Sequence, residues 1–302
     1  MTSAMPPFSR MLVPYDGSEP ARAALAAAIA LATHGVGLVI ASVVDETPLI
    51  ADASGTMAAY DPTPIMDELD AQGRALLDEA VKQCYEGGVD AAKHLVHDKP
   101  VPGILAAGDT YGCDLIVMGT HARSGVARTF LGSTTEGVLR LSRIPVLTVR
   151  TVDHVAAAPF AQLIVAVDDS EPSDAAAAVA ARLARGAGAS VTAVYAVDTL
   201  HLYENAANYG FDPDPLAHDM REAGRTILQT ALAHAGLPAQ TPVAVVDGEP
   251  AAAIVDAAKD RGATMIVTGT HGRRGVRRFL LGSVAEHLVR TSEIPVLVVP
   301  VP

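Results

Sequence analysis

The chain has 302 residues, half of them apolar, and its 22 Lys and Arg against 34 Asp and Glu give a net charge of −12. This length suits two domains of about 100–200 residues each, and either half has enough apolar residues to form a core. The acidic balance argues against partners that present negative charge, such as nucleic acid or an anionic membrane surface.

The first half alternates predicted strands and helices. Short runs rich in Val, Ile and Leu predict buried strands. The Ala-rich run after Ser18 predicts a helix with Ser18 as its N-cap and Pro20 in its first turn. A loop over 45–64 follows the second strand. In chain order we predict strand 10–15, helix 18–34, strand 38–44, helix 65–85, strand 91–97, helix 102–111, strand 114–119, helix 133–142 and strand 145–149.

The second half repeats this order because the chain is an internal duplication. The segment "GTHARSGVARTFLGSTTEGVLR" at Gly119–Arg140 returns as "GTHGRRGVRRFLLGSVAEHLVR" at Gly269–Arg290. Near the start, "MLVPYDGSE" at 11–19 returns as "LIVAVDDSE" at 163–171. We therefore expect two domains, at 1–152 and 159–302, joined by a short linker around 151–160.

Strands that alternate with helices predict a parallel sheet covered on both faces. Right-handed crossovers then favour a doubly wound arrangement. The expected fold class is α/β, with two tandem doubly wound five-stranded parallel sheets. In such sheets ligands bind beyond the carboxyl ends of the strands, where the winding reverses.

The two cysteines fit a reduced, cytoplasmic setting. Cys84 and Cys113 have no counterparts in the second half and no metal-ligand spacing, so neither a disulfide framework nor a zinc site is expected. The start "MTSAMPPFSR" lacks the basic end and apolar core of a secretory signal. The apolar run 23–44 is broken by "THGVG", which favours helix, turn and strand over a membrane span.

Two pairs of residues fall where strands are predicted to end. Asp16 and Asp168 follow the first strand of each half, where a carboxylate accepts hydrogen bonds either from a ligand or from the next turn. Gly119 and Gly269 end the fourth strand, where glycine admits a positive φ and lets backbone amides approach an anion. An ordinary tight turn is the alternative for these glycines.

A third pair opens the last helix of each half. Gly132-Ser133 and Gly282-Ser283 stand at helix starts, where unpaired amides bind phosphate. "STTE" and "SVAE" also match capping boxes, which stabilise a helix start without a ligand. Because capping alone does not explain the glycine before each serine, we expect each start to serve both purposes. The loop before this helix is rich in arginine in the second half, at Arg273, Arg274, Arg277 and Arg278, and has only Arg123 and Arg128 in the first. The cluster indicates either an anion site or a solvated basic face, and any anion field should be weaker in the first half.

The spacing G-x2-G-x9-G-S, an Asp after the first strand and the terminal run "IPVLVV" together resemble the universal stress protein family. The resemblance covers almost the whole chain as two tandem domains. It implies adenine-nucleotide α-hydrolase-like sheets with strand order 3-2-1-4-5, and the branch of the family that carries this motif binds ATP. By position, the resemblance implies an ATP site in the second half at Asp168, Ala196, Gly269, Gly272, Gly282, Ser283 and Val284. It implies a matching first-half site at Asp16, Val43, Gly119, Ala122, Gly132, Ser133 and Thr134.

The two implied sites differ. The first half has Ala122 where the second has Gly272, and it reads "HDKP" at 97–100 where the second reads "DGEP" at 247–250. Because alanine adds a methyl group and disfavours positive φ, we expect the second site to bind ATP more tightly than the first.

No catalytic residue is expected. There is no G-x-S-x-G elbow and no P-loop, so we expect slow ATP hydrolysis at most, and His121 and His271 are expected to hold their loop. The aromatic-rich segment 199–215 is either a lid, a partner surface or a loop packed on the sheet.

The most favoured function is an ATP-binding regulator of the stress response, with or without Mg²⁺. The alternatives are an ATP-cleaving or adenylating enzyme and an interaction module that binds no nucleotide. The family resemblance also implies that the two terminal strands pair the domains within one chain, and it leaves open whether two chains form a homodimer.

Overall fold

The computed structural model describes residues 8–32, 35–46, 63–120, 131–150, 160–270 and 281–301. They form two compact units, one from 8–120 and 131–150 and the other from 160–270 and 281–301. Each unit is a parallel sheet with helices between its strands, which confirms the predicted α/β class.

The first unit follows the predicted order of elements. Its β3 and its long second helix lie within two residues of the predicted bounds. Its elements are β1 (Arg10–Pro14), α1 (Glu19–Ala32), β2 (Gly37–Val44), α2 (Thr63–Glu86), β3 (Ala91–His97), α3 (Pro100–Thr110), β4 (Leu115–Thr120), α4 (Ser133–Leu141) and β5 (Val146–Arg150).

The second unit repeats these elements and has a helix after its second strand, in a segment whose first-unit counterpart lies largely outside the described residues. Its elements are β6 (Gln162–Ala166), α5 (Glu171–Ala187), β7 (Ser190–Val197), α6 (Thr199–Tyr209), α7 (Asp214–His234), β8 (Val243–Asp247), α8 (Pro250–Asp260), β9 (Met265–Gly269), α9 (Ser283–Thr291) and β10 (Val296–Val299).

The helix α6 lies in the aromatic-rich segment, for which the sequence pattern predicted no helix. Asp198 caps its start by accepting from the backbone N–H of His201, and Gly210 ends it in the left-handed conformation at φ 70°. Leu202 and Ala206 are buried, four residues apart on one face of the helix. The caps at its two ends and the burial of one short apolar stripe against the rest of the fold together stabilise this helix.

The strand order is β3-β2-β1-β4-β5 in the first unit and β8-β7-β6-β9-β10 in the second, and the paired strands run parallel. The winding reverses between β1 and β4, and between β6 and β9. These two central pairs are buried along nearly their whole length, while β3 and β8 are half-exposed. Each fully buried Leu or Ile in the central strands contributes about 1.5–3 kcal/mol to folding.

The helix α1 packs closely on the sheet because its buried face is made mostly of alanine. Ala24, Ala27 and Ala28 are almost fully buried and contribute no side chain beyond Cβ. Ser18 is the N-cap of this helix, since its hydroxyl oxygen accepts from the backbone N–H of Ala21 at 3.3 Å, which confirms the predicted cap. The result is a helix start pressed against the end of β4.

Among the helices that the structure describes, none combines the length and the apolar character needed to span a membrane.

Candidate functional site

A cavity of about 290 Å³ lies at the carboxyl ends of the strands of the first unit, at the point where the winding reverses. Its volume is close to the lower end of the range for small-ligand pockets. All the described residues that the resemblance implied for this half line it, namely Asp16, Val43, Gly119, Gly132, Ser133 and Thr134. Ala122 lies outside the described residues.

The start of α4 forms one wall of this cavity. Gly132 is the N-cap of the helix, with φ −61° and ψ 139°, and Ser133 is its first helical residue. No side-chain hydrogen bond caps the helix within the described residues. Its first backbone amides therefore lack the usual side-chain acceptor and line a cavity, which is the arrangement that favours an anion.

The capping boxes predicted at "STTE" and "SVAE" are wrong. A capping box needs serine at the N-cap, but the helix begins one residue earlier, at Gly132 and at Gly282. Glu136 and Glu286 consequently lie beyond the N3 position. Instead of capping, each pairs with an arginine four residues on, Arg140 and Arg290 respectively.

The two helix starts are tied to their sheets by different hydrogen bonds. In the first unit the hydroxyl of Thr135 donates to the backbone oxygen of Gly119 at 3.1 Å. In the second unit Ala285 replaces this threonine, and the backbone N–H of Gly282 donates to the backbone oxygen of Thr270 at 2.7 Å. Both bonds hold the helix start close to the end of a central strand.

The second unit places the implied residues at corresponding positions. Asp168 follows β6, Ala196 is near the end of β7, and Gly269 ends β9. Gly282, Ser283 and Val284 form the start of α9. Gly272 lies outside the described residues, as do His121, His271 and the arginines of both loops.

Gly119 and Gly269 are required by packing. Neither has a positive φ, although glycine would admit one. A Cβ on Gly119 would lie 1.9 Å from the backbone oxygen of Pro20, and one on Gly269 would lie 2.6 Å from the backbone carbon of Pro172. These glycines let α1 and α5 approach the strand ends, so by themselves they do not indicate a ligand.

The two aspartates that follow the first strands both hold the next turn. Asp16 accepts from the backbone N–H of Ser18 at 3.0 Å, and the hydroxyl of Ser170 donates to Asp168 at 2.5 Å. The residues between are left-handed, Gly17 at φ 72° and Asp169 at φ 66°. Each carboxylate therefore accepts a hydrogen bond from the turn that follows it, as the second of the two alternatives from the sequence predicts.

Sequence reasoning missed Tyr15, which precedes Asp16 and also lines the cavity. Its ring is buried, and its hydroxyl donates to Oε1 of Glu79 on α2 at 3.3 Å. Burial, with the nearby negative charge of Glu79, raises the pKa of Tyr15. The second unit has Val167 at the corresponding position, so this phenol has no counterpart there.

Apolar residues complete the cavity wall. Ala41 and Val43 come from β2, Ile104 from α3 and Met118 from β4. These aliphatic side chains could contact a flat, weakly polar ring of a small ligand. The polar groups of the cavity include the Asp16 carboxylate and the backbone amides at the start of α4. Among the described residues, no cluster of three His, Cys, Asp or Glu side chains is arranged to hold a metal ion.

A model of the universal stress protein family matches the chain twice, at residues 7–150 and at residues 159–300. Universal stress protein Rv2005c of Mycobacterium tuberculosis is 29% identical over 235 residues, which cover 75% of this chain and 76% of the relative. Universal stress protein YxiE of Bacillus subtilis is 33% identical over 147 residues, which cover 47% of this chain and 99% of YxiE.

A solved structure shows the same fold. The crystal structure of a universal stress protein from Archaeoglobus fulgidus has a TM-score of 0.72 to this chain, with 23% identity, and the match covers 100% of both chains. Because the family model accounts for nearly the whole sequence in two successive matches, the chain belongs to the universal stress protein family, with one family domain in each half.

Proposed function

We propose that this protein binds ATP at the carboxyl ends of its strands and acts as a nucleotide-dependent regulator of the stress response. The observation that carries the proposal is the cavity of the first unit. It combines an aliphatic wall, the carboxylate of Asp16 and the start of α4, where no side chain caps the first amides within the described residues.

Each part of the cavity suits one part of an adenine nucleotide. The aliphatic wall around Val43 and Met118 offers contact to the base, and Asp16 offers an acceptor for an amino or hydroxyl group. The amides at Ser133 and Thr134 offer donors at the positive end of the helix dipole, which suits the phosphates. Magnesium would enter with the nucleotide, because phosphate oxygens supply ligands that this metal prefers.

We propose that the second site is the tighter one. It retains Gly272 in the full G-x2-G-x9-G-S spacing, and its loop is richer in arginine. The rims of the two clefts also differ in backbone conformation. Gly248, at the end of β8, has φ 132°, which favours glycine, whereas the first unit has Asp98 at this position without a positive φ.

Regulation fits the chain better than rapid catalysis. Protein catalysts of phosphoryl transfer position a base or a water beside the phosphates and neutralise developing charge there. The described cavity contributes helix amides and Asp16, and Asp16 already holds the next turn. Occupancy by ATP would then alter the shape or the partners of the protein.

The small molecules that co-purify with the protein test this function. Denaturation followed by chromatography of the released small molecules should yield ATP. Release of AMP or of an adenylated product would instead assign the protein to the ATP-cleaving or adenylating enzymes. A preparation that contains no nucleotide and binds none in calorimetry would leave the protein as an interaction module and end the proposal.

The phosphate position has its own test. Gly282→Asp places a carboxylate at the N-cap of α9, and we expect ATP affinity at the second site to fall at least tenfold, because the new charge opposes the phosphates. Gly262→Asp is the matched control. It adds the same charge at the left-handed turn before β9, at the amino end of the strand, where a Cβ meets no atom within 4 Å. Equal affinity in both variants would show that the phosphates bind elsewhere.

A further inference from the structure

The exposed apolar side chains of the second unit are concentrated in one segment. Eight large hydrophobic residues are exposed among those that the structure describes, and five of them fall between 200 and 216. These five are Leu200, Tyr203, Tyr209, Phe211 and Leu216, and they are between 42% and 80% exposed. Concentrated exposed apolar surface on a folded chain marks an interaction site more often than scattered exposure does.

Hydrogen bonds hold this segment in one arrangement. The hydroxyl of Tyr203, on α6, donates to Asp214, at the start of α7, at 2.8 Å. The backbone N–H of Asp214 donates to Asp212 at 3.1 Å, which fixes the connection between the two helices. The buried side chains of Leu202 and Ala206 hold α6 against the rest of the fold. A partner would therefore meet the ring of Tyr203 already positioned, on a helix held by its buried face, which reduces the ordering that opposes binding.

The same segment is strongly acidic. Between 198 and 219 it contains no Lys or Arg, and it contains five carboxylates, Asp198, Glu204, Asp212, Asp214 and Asp219. Arg221, which lies beside Tyr203, is paired with Asp247. We name residues 198–219 the acidic aromatic surface. Its charge repels acidic proteins and anionic lipid, and it raises the rate of encounter with positively charged partners.

We propose that the acidic aromatic surface binds a basic amphipathic segment of a partner protein. Tyrosine and phenylalanine are typical anchors at the centre of protein interfaces, and the surrounding carboxylates complement Lys and Arg at the rim. A second copy of this chain is a poorer occupant. A two-fold dimer would place the same acidic surface on both sides of the contact, and like charges would oppose it.

A pair of synthetic peptides tests the charge requirement. The probe is a fluorescein-labelled amphipathic helix of leucine and lysine, and the control has glutamate in place of each lysine. Fluorescence anisotropy with the full chain should show binding of the lysine peptide, weaker at physiological salt than at low salt because screening reduces the attraction. Binding of both peptides alike would overturn the proposal.

Variants test the place of binding. Tyr209→Ser combined with Phe211→Ser should weaken binding of the lysine peptide at least fivefold, because it removes two exposed rings. Tyr85→Ser is the matched control, since Tyr85 is 78% exposed against 80% for Tyr209 but lies on α2 of the first unit. The control should bind the peptide as the wild type does, and circular dichroism should show that each variant is folded.

Two results would contradict this assignment. If the double variant binds the peptide with wild-type affinity, the rings do not form the binding surface. If sedimentation shows a dimer of the wild type that the double variant loses, a second copy of the chain covers the surface instead.

Discussion

Gly119 and Gly269 belong to the motif that resembles a nucleotide site, but the structure shows that packing also requires glycine at both positions. From the sequence they were positions where glycine admits a positive φ and a close approach to an anion, yet neither has a positive φ. Their lack of a Cβ lets Pro20 and Pro172 approach within van der Waals distance of the strand ends. Packing alone is therefore enough to explain glycine at positions 119 and 269, with or without a bound ligand.

Gly119→Ala should lower the free energy of unfolding by about 3 kcal/mol or more, because the new methyl group has no room beside the Pro20 carbonyl. Urea unfolding of the full chain measures the change. The control is Gly108→Ala in the buried face of α3, where a Cβ makes ordinary contacts of 3.5 Å and longer. We expect the control to be stabilised by about 0.5–1 kcal/mol through its higher helix propensity. Similar effects in both variants would contradict the packing explanation.

Helix starts in this protein are of two kinds. The helix α5 has a complete capping box, in which Ser170 accepts from the N–H of Ser173 and Ser173 accepts from the N–H of Ser170, both at 3.3 Å. The helices α4 and α9 begin at glycine, without a side-chain cap among the described residues. The family resemblance assigns the starts of α4 and α9 to phosphate, and a helix start without a side-chain cap keeps its donors for a ligand. The helices α3 and α7, with Lys99 and Pro213 at their N-caps, also lack a side-chain cap, so a missing cap does not by itself indicate a phosphate site.

A matched pair of serine substitutions separates these two kinds of start. Ser170→Ala removes a cap and should lower the free energy of unfolding by about 1 kcal/mol. Ser283→Ala removes an exposed hydroxyl at the first helical position and should change it by less than about 0.5 kcal/mol. Thermal unfolding of both variants without added nucleotide provides the measurement. A larger loss at Ser283 than at Ser170 would mean that the serine caps α9 after all.

Across the chain, duplication has kept the scaffold and changed the surroundings of the clefts. Both units have the same strand order and the same uncapped helix start. Tyr15 corresponds to Val167 in the second half, Thr135 to Ala285, and Ala122 to Gly272. Such differences predict two sites of unequal affinity in one protein.

Titration calorimetry with ATP should therefore show two binding steps, the tighter one belonging to the second unit. Gly272→Ala should weaken that step, and Ala122→Gly should strengthen the other, because each change exchanges the residue that distinguishes the two motifs. Equal occupancy of both sites at limiting ATP in the wild-type chain would be the contrary result.

The stability of the folded chain should also fall in alkaline solution. Burial raises the pKa of the Cys84 and Cys113 thiols from 9.0 to about 11. Because the folded state holds both protons more tightly, this stability is fully present below pH 9 and is lost as the pH rises toward 11. At pH 10 the loss is about 1 kcal/mol per thiol. Urea unfolding at pH 8 and pH 10 should show a smaller pH effect in the Cys84→Ala, Cys113→Ala double variant than in the wild type.

The sequence alone was sufficient for the repeat, the α/β class and most elements, because apolar runs and alanine-rich helices report burial locally. It also indicated that Asp16, Gly132 and Ser133 lie together, since their spacing is visible along the chain, and they line one cavity. It did not predict α6, the glycine N-caps or the role of Tyr15. These features depend on how segments that are distant in sequence pack together. Packing decides whether the apolar side of α6 is buried, at which residue α4 and α9 begin, and that the Tyr15 ring lines the cavity.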